Sequence, residues 1–294
     1  MPNKAHKNEL KYPTLEGEKQ VALITGSSSG IGLETSVLLA ENGFHTYAAV
    51  RNLEKSKALI DTAENDVLPL QAIELDVNSD ISVKDAISKI LYENKRIDVV
   101  VNNAGYALVG PFEDSSMDEI KAQFETNFFG AVRIMQAALP TMIKQGYGRI
   151  VNVSSLGGRI AFPFDSAYHG TKFALEGLSE SIQYEVQQFG IKIILIEPGV
   201  VKSRFWDNLK MATKAQRSDS PYLEMMQKTN AGFVSLLENG TPPEEVAKVI
   251  LNAVTSEHPE LRYVVGNDAA TLMEARKNMT DAEFQKVVIR NIIQ

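Results

Sequence analysis

From residue 20 onward the chain alternates short apolar runs with longer amphipathic stretches. The runs are Val21–Thr25, Phe44–Val50, Leu68–Leu75, Ile97–Val101, Arg149–Ser154 and Ile191–Ile196, with a shorter one at Tyr263–Val265. Several are apolar at consecutive rather than alternate positions, as in strands of a parallel sheet covered by helices on both faces. Between them, Gly32–Glu41, Glu54–Ala63, Ser82–Glu93, Met117–Ile143, Ala167–Phe189 and Pro243–Ser256 carry helical spacing. Strand followed by helix, repeated, implies right-handed βαβ units feeding one continuous sheet. The expected fold is α/β: a single domain over residues 20–294, built on a doubly wound parallel sheet of about seven strands flanked by helices. Residues 1–19 are polar and aperiodic and read as an N-terminal tail. Residues 202–239 are richer in Met, Lys and Ser, hold the only Trp and have weak periodicity. An irregular insertion in a compact α/β domain reads as a lid over a binding site; a surface helical excursion is the plainer alternative.

Composition narrows the chemistry. The chain has 294 residues, 44% hydrophobic and 23% charged, an ordinary globular balance. Its net charge of -7 argues against nucleic acid or an anionic membrane surface as a main partner. The absence of cysteine excludes disulfides, zinc–thiolate sites, iron–sulfur clusters and a thiol nucleophile. Four well-separated histidines argue against a His-based metal site. No stretch approaches the ~18 apolar residues that span a bilayer. The opening residues lack the apolar run of a secretory signal, which leaves a cytoplasmic location as the default.

The first strand runs into Gly26-Ser27-Ser28-Ser29-Gly30-Ile31-Gly32 and then a helix. Glycines there permit positive φ and close backbone approach to a pyrophosphate, the helix N-terminus offers free N–H groups, and the serines add hydroxyl donors. Lacking the Lys-Ser/Thr of a P-loop, the turn is a dinucleotide rather than a nucleoside triphosphate signal. The second strand ends Ala48-Ala49-Val50-Arg51-Asn52. The acid that binds the ribose hydroxyl of NAD is missing, and Arg51 supplies a cation for the extra phosphate of NADP. NADP(H) is therefore the expected cofactor, with NAD(H) possible if Arg51 is only a solvated loop charge. Asp76, before Val77 at the end of the third strand, reads equally as an adenine contact or a turn cap.

Tyr168 and Lys172 stand at i, i+4 on one helix face. An ammonium beside a phenol stabilises phenolate, suiting the pair to proton transfer at an alcohol or ketone oxygen. Ser155, thirteen residues upstream, ends a strand where its hydroxyl can bond that oxygen. Asn102-Asn103-Ala104-Gly105 closes the fourth strand, and Asn127, with Gly130 nearby, is an unfavourable residue inside a long helix, hinting at a non-packing role.

Together with Thr25-Gly26-x-x-x-Gly30-Ile31-Gly32 and Pro198-Gly199, this set resembles the short-chain dehydrogenase/reductase family over roughly residues 20–200. The segment from Ser155 to Tyr168 is similar to the 17β-hydroxysteroid and retinol dehydrogenase branch. The resemblance implies a Rossmann-type fold and hydride transfer between a nicotinamide and a carbonyl or alcohol. By the resemblance, Tyr168 is the general acid in reduction, Ser155 polarises the substrate oxygen, and Lys172 lowers the tyrosine pKa and binds the nicotinamide ribose. Asn127 holds a water in a proton relay. Asn103, Ala104 and Gly105 line the adenosine side, Pro198, Gly199 and Val201 pack on the nicotinamide, and Ser203 replaces a frequent threonine. Ser154 is a weaker choice than Ser155 for the catalytic hydroxyl. A homodimer or homotetramer built on the two long helices is also implied.

His169 points to another helix face and reads as a packing or pocket residue. Phe205, Trp206 and Met211 line an apolar pocket or pack a mobile helix. Phe162-Pro163-Phe164 and Phe205-Trp206 point to a lipophilic substrate. A dinucleotide-binding redox sensor without turnover is the alternative, against which both Tyr168 and Lys172 stand; a dehydratase or epimerase usually has a longer chain and a G-x-x-G-x-x-G turn.

Overall fold

The computed structural model describes residues 19–56, 59–61 and 66–290. Apart from Lys19, the expected tail lies outside the described residues, as does part of the expected helix Glu54–Ala63, whose start is a 3-10 turn over Leu53–Ser56.

Seven strands form one sheet: β1 (Val21–Thr25), β2 (His45–Val50), β3 (Leu70–Glu74), β4 (Val99–Asn102), β6 (Gly148–Val153), β7 (Ile191–Pro198) and β9 (Arg262–Val265). Their order is β3-β2-β1-β4-β6-β7-β9, and every pairing is parallel. All five residues of β1 are buried, because the two faces of the strand enter different cores. Val21 and Leu23 pack with Ile87 and Ile90 of α2 (Asp80–Asn94) and Ile134 and Met135 of α4 (Gly130–Gln145). Ala22 and Ile24 pack with Leu39 of α1 (Gly30–Glu41) and Val246 and Ile250 of α7 (Pro243–Thr255). Helices on both faces are the reason the strand runs carry no polar alternation.

The expected helix Met117–Ile143 is two helices. α3 (Met117–Phe124) gives way to one π turn, Glu125–Phe129, before α4. Such turns are rare and concentrate at functional sites, and Asn127 sits inside this one. Gly130 follows from packing, which corrects its reading as a non-packing signal: a Cβ there would lie 2.8 Å from Val77 Cγ2.

The excursion after β7 is more structured than its sequence suggests. β8 (Lys210–Met211) pairs with β5 (Leu108–Val109) in a separate two-stranded sheet. Thr213 donates to Glu119 from both its backbone N and Oγ1, at 2.9 Å each. The Ser116 hydroxyl and the Thr213 amide hold the Glu119 carboxyl down to about 2. Arg217 reaches the buried Asp114 at 3.1 Å. α6 (Leu223–Glu238) then crosses above, and the chain ends in α8 (Asn267–Asn278) and α9 (Asp281–Val288), which the periodicity did not predict.

The connection from β6 to α5 (Ser166–Val186) is stapled by His169. Its Nε2 accepts from Phe162 N at 2.9 Å, so Nδ1 carries the proton and donates to Gly157 O at 2.8 Å. The packing role expected for His169 is this staple. Burial pushes the ring below the ordinary histidine range. The neutral ring's contribution is therefore complete above the unfolded pKa of about 6.5 and is lost as pH falls below it, since the unfolded chain takes the proton first. Below about pH 6.5 the unfolding free energy should fall by up to about 1.4 kcal/mol per pH unit from this group, until the folded ring takes the proton too. Urea titrations of the wild type and His169→Gln should show a shallower pH slope in the variant; equal slopes would remove His169 from the account.

Candidate functional site

A cleft of 1290 Å³ opens at the C-terminal ends of the parallel strands, the edge at which open α/β sheets bind ligands. One end of it is the turn between β1 and α1. Gly26 and Gly30 have φ of 71° and 57°, the left-handed region that favours glycine. Ser29 occupies the cap position of α1 without capping it, which leaves the first-turn N–H groups free for an anion. Gly32 lies below this surface, since a Cβ would come 2.4 Å from Gly26 O. Ser27 is also below it. Its hydroxyl turns inward to Ile24 O at 2.9 Å, so of the three serines only Ser28 and Ser29 reach the cleft. The turn is braced from β4. Asn103 N and Ala104 N donate to Thr25 Oγ1 at 3.0 and 3.1 Å, and Asn103 Nδ2 donates to Thr25 O and Gly26 O. The free amides, the glycine cradle and the hydroxyls fit a dinucleotide pyrophosphate.

Arg51 stands exposed on the cleft wall beyond β2. Asp76, Val77, Asn103, Ala104 and Gly105 are on the same wall. Asp76 Oδ1 accepts from Asn78 N at 3.0 Å, so the carboxyl already closes a turn. Pro198, Gly199, Val201 and Ser203 line the far side. Asp268, in the first turn of α8, holds them through Oδ2 to Val200 N at 2.7 Å, and Gly199 must be bare because a Cβ would lie 2.2 Å from that carboxylate. Nothing in the sequence marked Asp268, which is 68 residues away from its partner.

Ser155, Tyr168 and Lys172 meet at the centre of the cleft. Ser155 Oγ accepts from Gly157 N at 2.9 Å, leaving its own proton to donate. Ser154 Oγ is sealed in the interior against Gly158. Lys172 Nζ donates to Val153 O at 2.8 Å and lies 5.7 Å from the centre of the Tyr168 ring. Burial pushes the Tyr168 phenol up to about 12, with Asp165 adding to the shift and Ser155 opposing it, and burial pulls Lys172 down to about 8. Desolvation is the larger influence on both groups. Asn127 spends its amide on Tyr106, accepting from its N at 3.1 Å and donating to its O at 2.9 Å. These two bonds brace the loop after β4.

The apolar end of the cleft is formed by Phe205, Trp206, Met211, Met226 and Phe233. The Phe205 ring lies 6.1 Å from Tyr168, and Trp206 donates Nε1 to Val201 O at 2.7 Å. Among the described residues no cluster of His, Asp and Glu could hold a metal ion.

The family model described as short chain dehydrogenase matches residues 20–214. The chain is 32% identical over 277 residues to a 3-ketodihydrosphingosine reductase of Bacteroides thetaiotaomicron, covering 93% of this chain and 97% of the relative. It is 35% identical over 267 residues to estradiol 17-beta-dehydrogenase 1 of Rattus norvegicus, covering 88% and 77%. A crystal structure of a short-chain dehydrogenase from Streptomyces avermitilis superposes with a TM-score of 0.80 at 32% identity, over 92% of this chain and 96% of that one. With a family match across more than half its length, the chain belongs to the short-chain dehydrogenase/reductase family, oxidoreductases that act on CH–OH groups with NAD(P).

Proposed function

We propose that the protein is an NADP(H)-preferring reductase of a lipophilic ketone that also oxidises the corresponding alcohol. The observation that carries this is the meeting of Ser155, Tyr168 and Lys172 beside an apolar chamber, at the far end of a cleft that begins at the glycine turn. When bound, the nicotinamide supplies the hydride. Ser155 orients the substrate oxygen with its hydroxyl proton. Tyr168, pushed up to about 12, holds its proton at neutral pH and delivers it to that oxygen as general acid. Lys172 binds the nicotinamide ribose and becomes the neighbouring cation that eases phenolate formation.

Arg51 supports the NADP(H) preference because its charge has no ion pair among the described residues and stands at the end of β2, where an acid would select NAD. Ser28, Ser29 and Ile31 bind the pyrophosphate, and Asp76 and Val77 flank the adenine. The names of the relatives, a ketodihydrosphingosine reductase and an estradiol dehydrogenase, support a lipophilic substrate. Residues 202–239 serve as the lid, with α6 as its moving part. Phe129, Phe173 and Tyr184, 45%, 47% and 66% exposed, support a homodimer or homotetramer through the α4 and α5 faces. Among the described residues no helix is long and apolar enough to cross a membrane; a cytoplasmic location belongs to the same proposal.

Tyr168→Phe should lower kcat by about a thousandfold, while NADPH still quenches the fluorescence of Trp206. Near-normal turnover would sink the assignment. Val50→Asp should lower the NADPH/NADH ratio of kcat/KM by about tenfold or more through repulsion of the extra phosphate; an unchanged ratio would withdraw the support that Arg51 lends.

A further inference from the structure

Asp165 has the place of a helix cap without the bonds of one. It immediately precedes α5, where an aspartate ordinarily accepts from first-turn amides, yet its side chain makes no capping bond. Oδ1 is buried with no partner, and neither carboxyl oxygen has a hydrogen bond or ion pair among the described residues. Only its main chain is engaged, accepting from His169 N at 2.9 Å. The residue before it, Phe164, is in the left-handed region at φ 69°, unusual for a bulky side chain. Its carbonyl accepts from Gly110 N at 2.8 Å, which holds that turn in place. The strained turn sets the carboxyl in the cleft wall, close enough to Tyr168 to raise the phenol pKa. Burial pushes Asp165 itself up to about 7.

A buried acceptor without a partner destabilises the fold that contains it, and such groups at a cleft wall are explained by what enters the cleft. We infer that Asp165 is a specificity residue that takes a hydrogen-bond donor on the substrate, a hydroxyl or a protonated amine close to the reacting carbon. The substrate class is then an amphiphile: a polar head against Asp165 and Ser155, and an apolar body against Phe205, Trp206 and Phe233. This rests on the carbonyl-reductase reading and sharpens it, because a plain lipophilic ketone would cover the half-buried carboxylate and leave it unpaired, the condition under which a site discriminates strongly.

The test uses three ketones of equal chain length with NADPH: an unsubstituted ketone, its α-hydroxy ketone and its α-amino ketone. Wild-type kcat/KM should favour at least one polar ketone over the plain one by about tenfold or more, chiefly through KM. Asp165→Leu should collapse that ratio towards one and melt at the same or a higher temperature, since it removes a half-buried acid whose Oδ1 is buried without a partner. Asp165→Asn distinguishes the two donors: a hydroxyl keeps its partner, whereas an ammonium loses its counter-charge and its advantage. The same polar/plain ratio in wild type and Asp165→Leu, or a wild-type preference for the plain ketone, overturns the inference and leaves the reductase reading standing. A melting temperature that falls in Asp165→Leu with the ratio unchanged makes Asp165 a structural residue and also overturns it. Wild type that binds NADPH and reduces none of the three brings down the reductase reading itself.

Discussion

Seven strands running the same way place seven C-terminal ends on one edge, and everything the protein can do follows from how those ends are tied off. A parallel sheet covered on both faces leaves its loops as the only route for polar chemistry. The loops here brace one another. The end of β1 receives two amides from the end of β4 through Thr25 Oγ1. The loop after β4 is held by Asn127 from the π turn, and the loop after β7 by Asp268 from α8. The site is rigid because each loop satisfies its backbone groups on a neighbouring loop. Arg262 extends the bracing to the edge of the sheet, bridging Glu176 and Glu180 of α5 at 3.0 and 2.7 Å and Glu197 of β7 at 3.3 Å. The last strand thus steadies the helix that carries Tyr168 and Lys172.

What was legible in the sequence is what is decided locally. β1 could be read to the residue because four consecutive apolar positions, Val21–Ile24, lead through Thr25 straight into the glycine turn. The glycine turn was legible because positive φ leaves few choices besides glycine. The π turn was not, since Met117–Ile143 keeps helical spacing through it and the Tyr106 contact that anchors Asn127 lies 21 residues away. α8 escaped because its apolar positions make a weak stripe, and Asp268 because an acid in a first turn is ordinary. Asp165 was hidden by the same logic: before a helix an aspartate is the expected cap, and only coordinates show that it caps nothing.

Desolvation links three ionisable groups near the centre of the cleft. It opposes charge on Tyr168, Lys172 and Asp165 alike, raising the two acids and lowering the base. A cleft that holds its groups near neutrality can move a proton at small electrostatic cost once a partner of the right sign arrives, whereas in water the same phenol and ammonium would be separated by solvent. The arrangement has a stability cost, visible as buried polar atoms without partners at Ser154 and Asp165, and strained backbone and unsatisfied groups of this kind collect where a fold is shaped for a ligand.

The excursion after β7 limits how such a cleft can open. Its root is held by the β5–β8 pairing, by Thr213 on Glu119 and by Arg217 on Asp114. Glu119, ionised down to about pH 2, keeps that rivet through any physiological acidity. Trp206 hangs from Val201, so the aromatic wall is tethered to the same loop that Asp268 fixes. α6 lies beyond these anchors and carries Met226 and Phe233 to the chamber through apolar contacts, which is why the proposed lid places its movement there. Apolar contacts are non-directional and slide where hydrogen bonds break, so in the proposed lid the polar head of a substrate would meet a fixed wall and its apolar body the wall that gives.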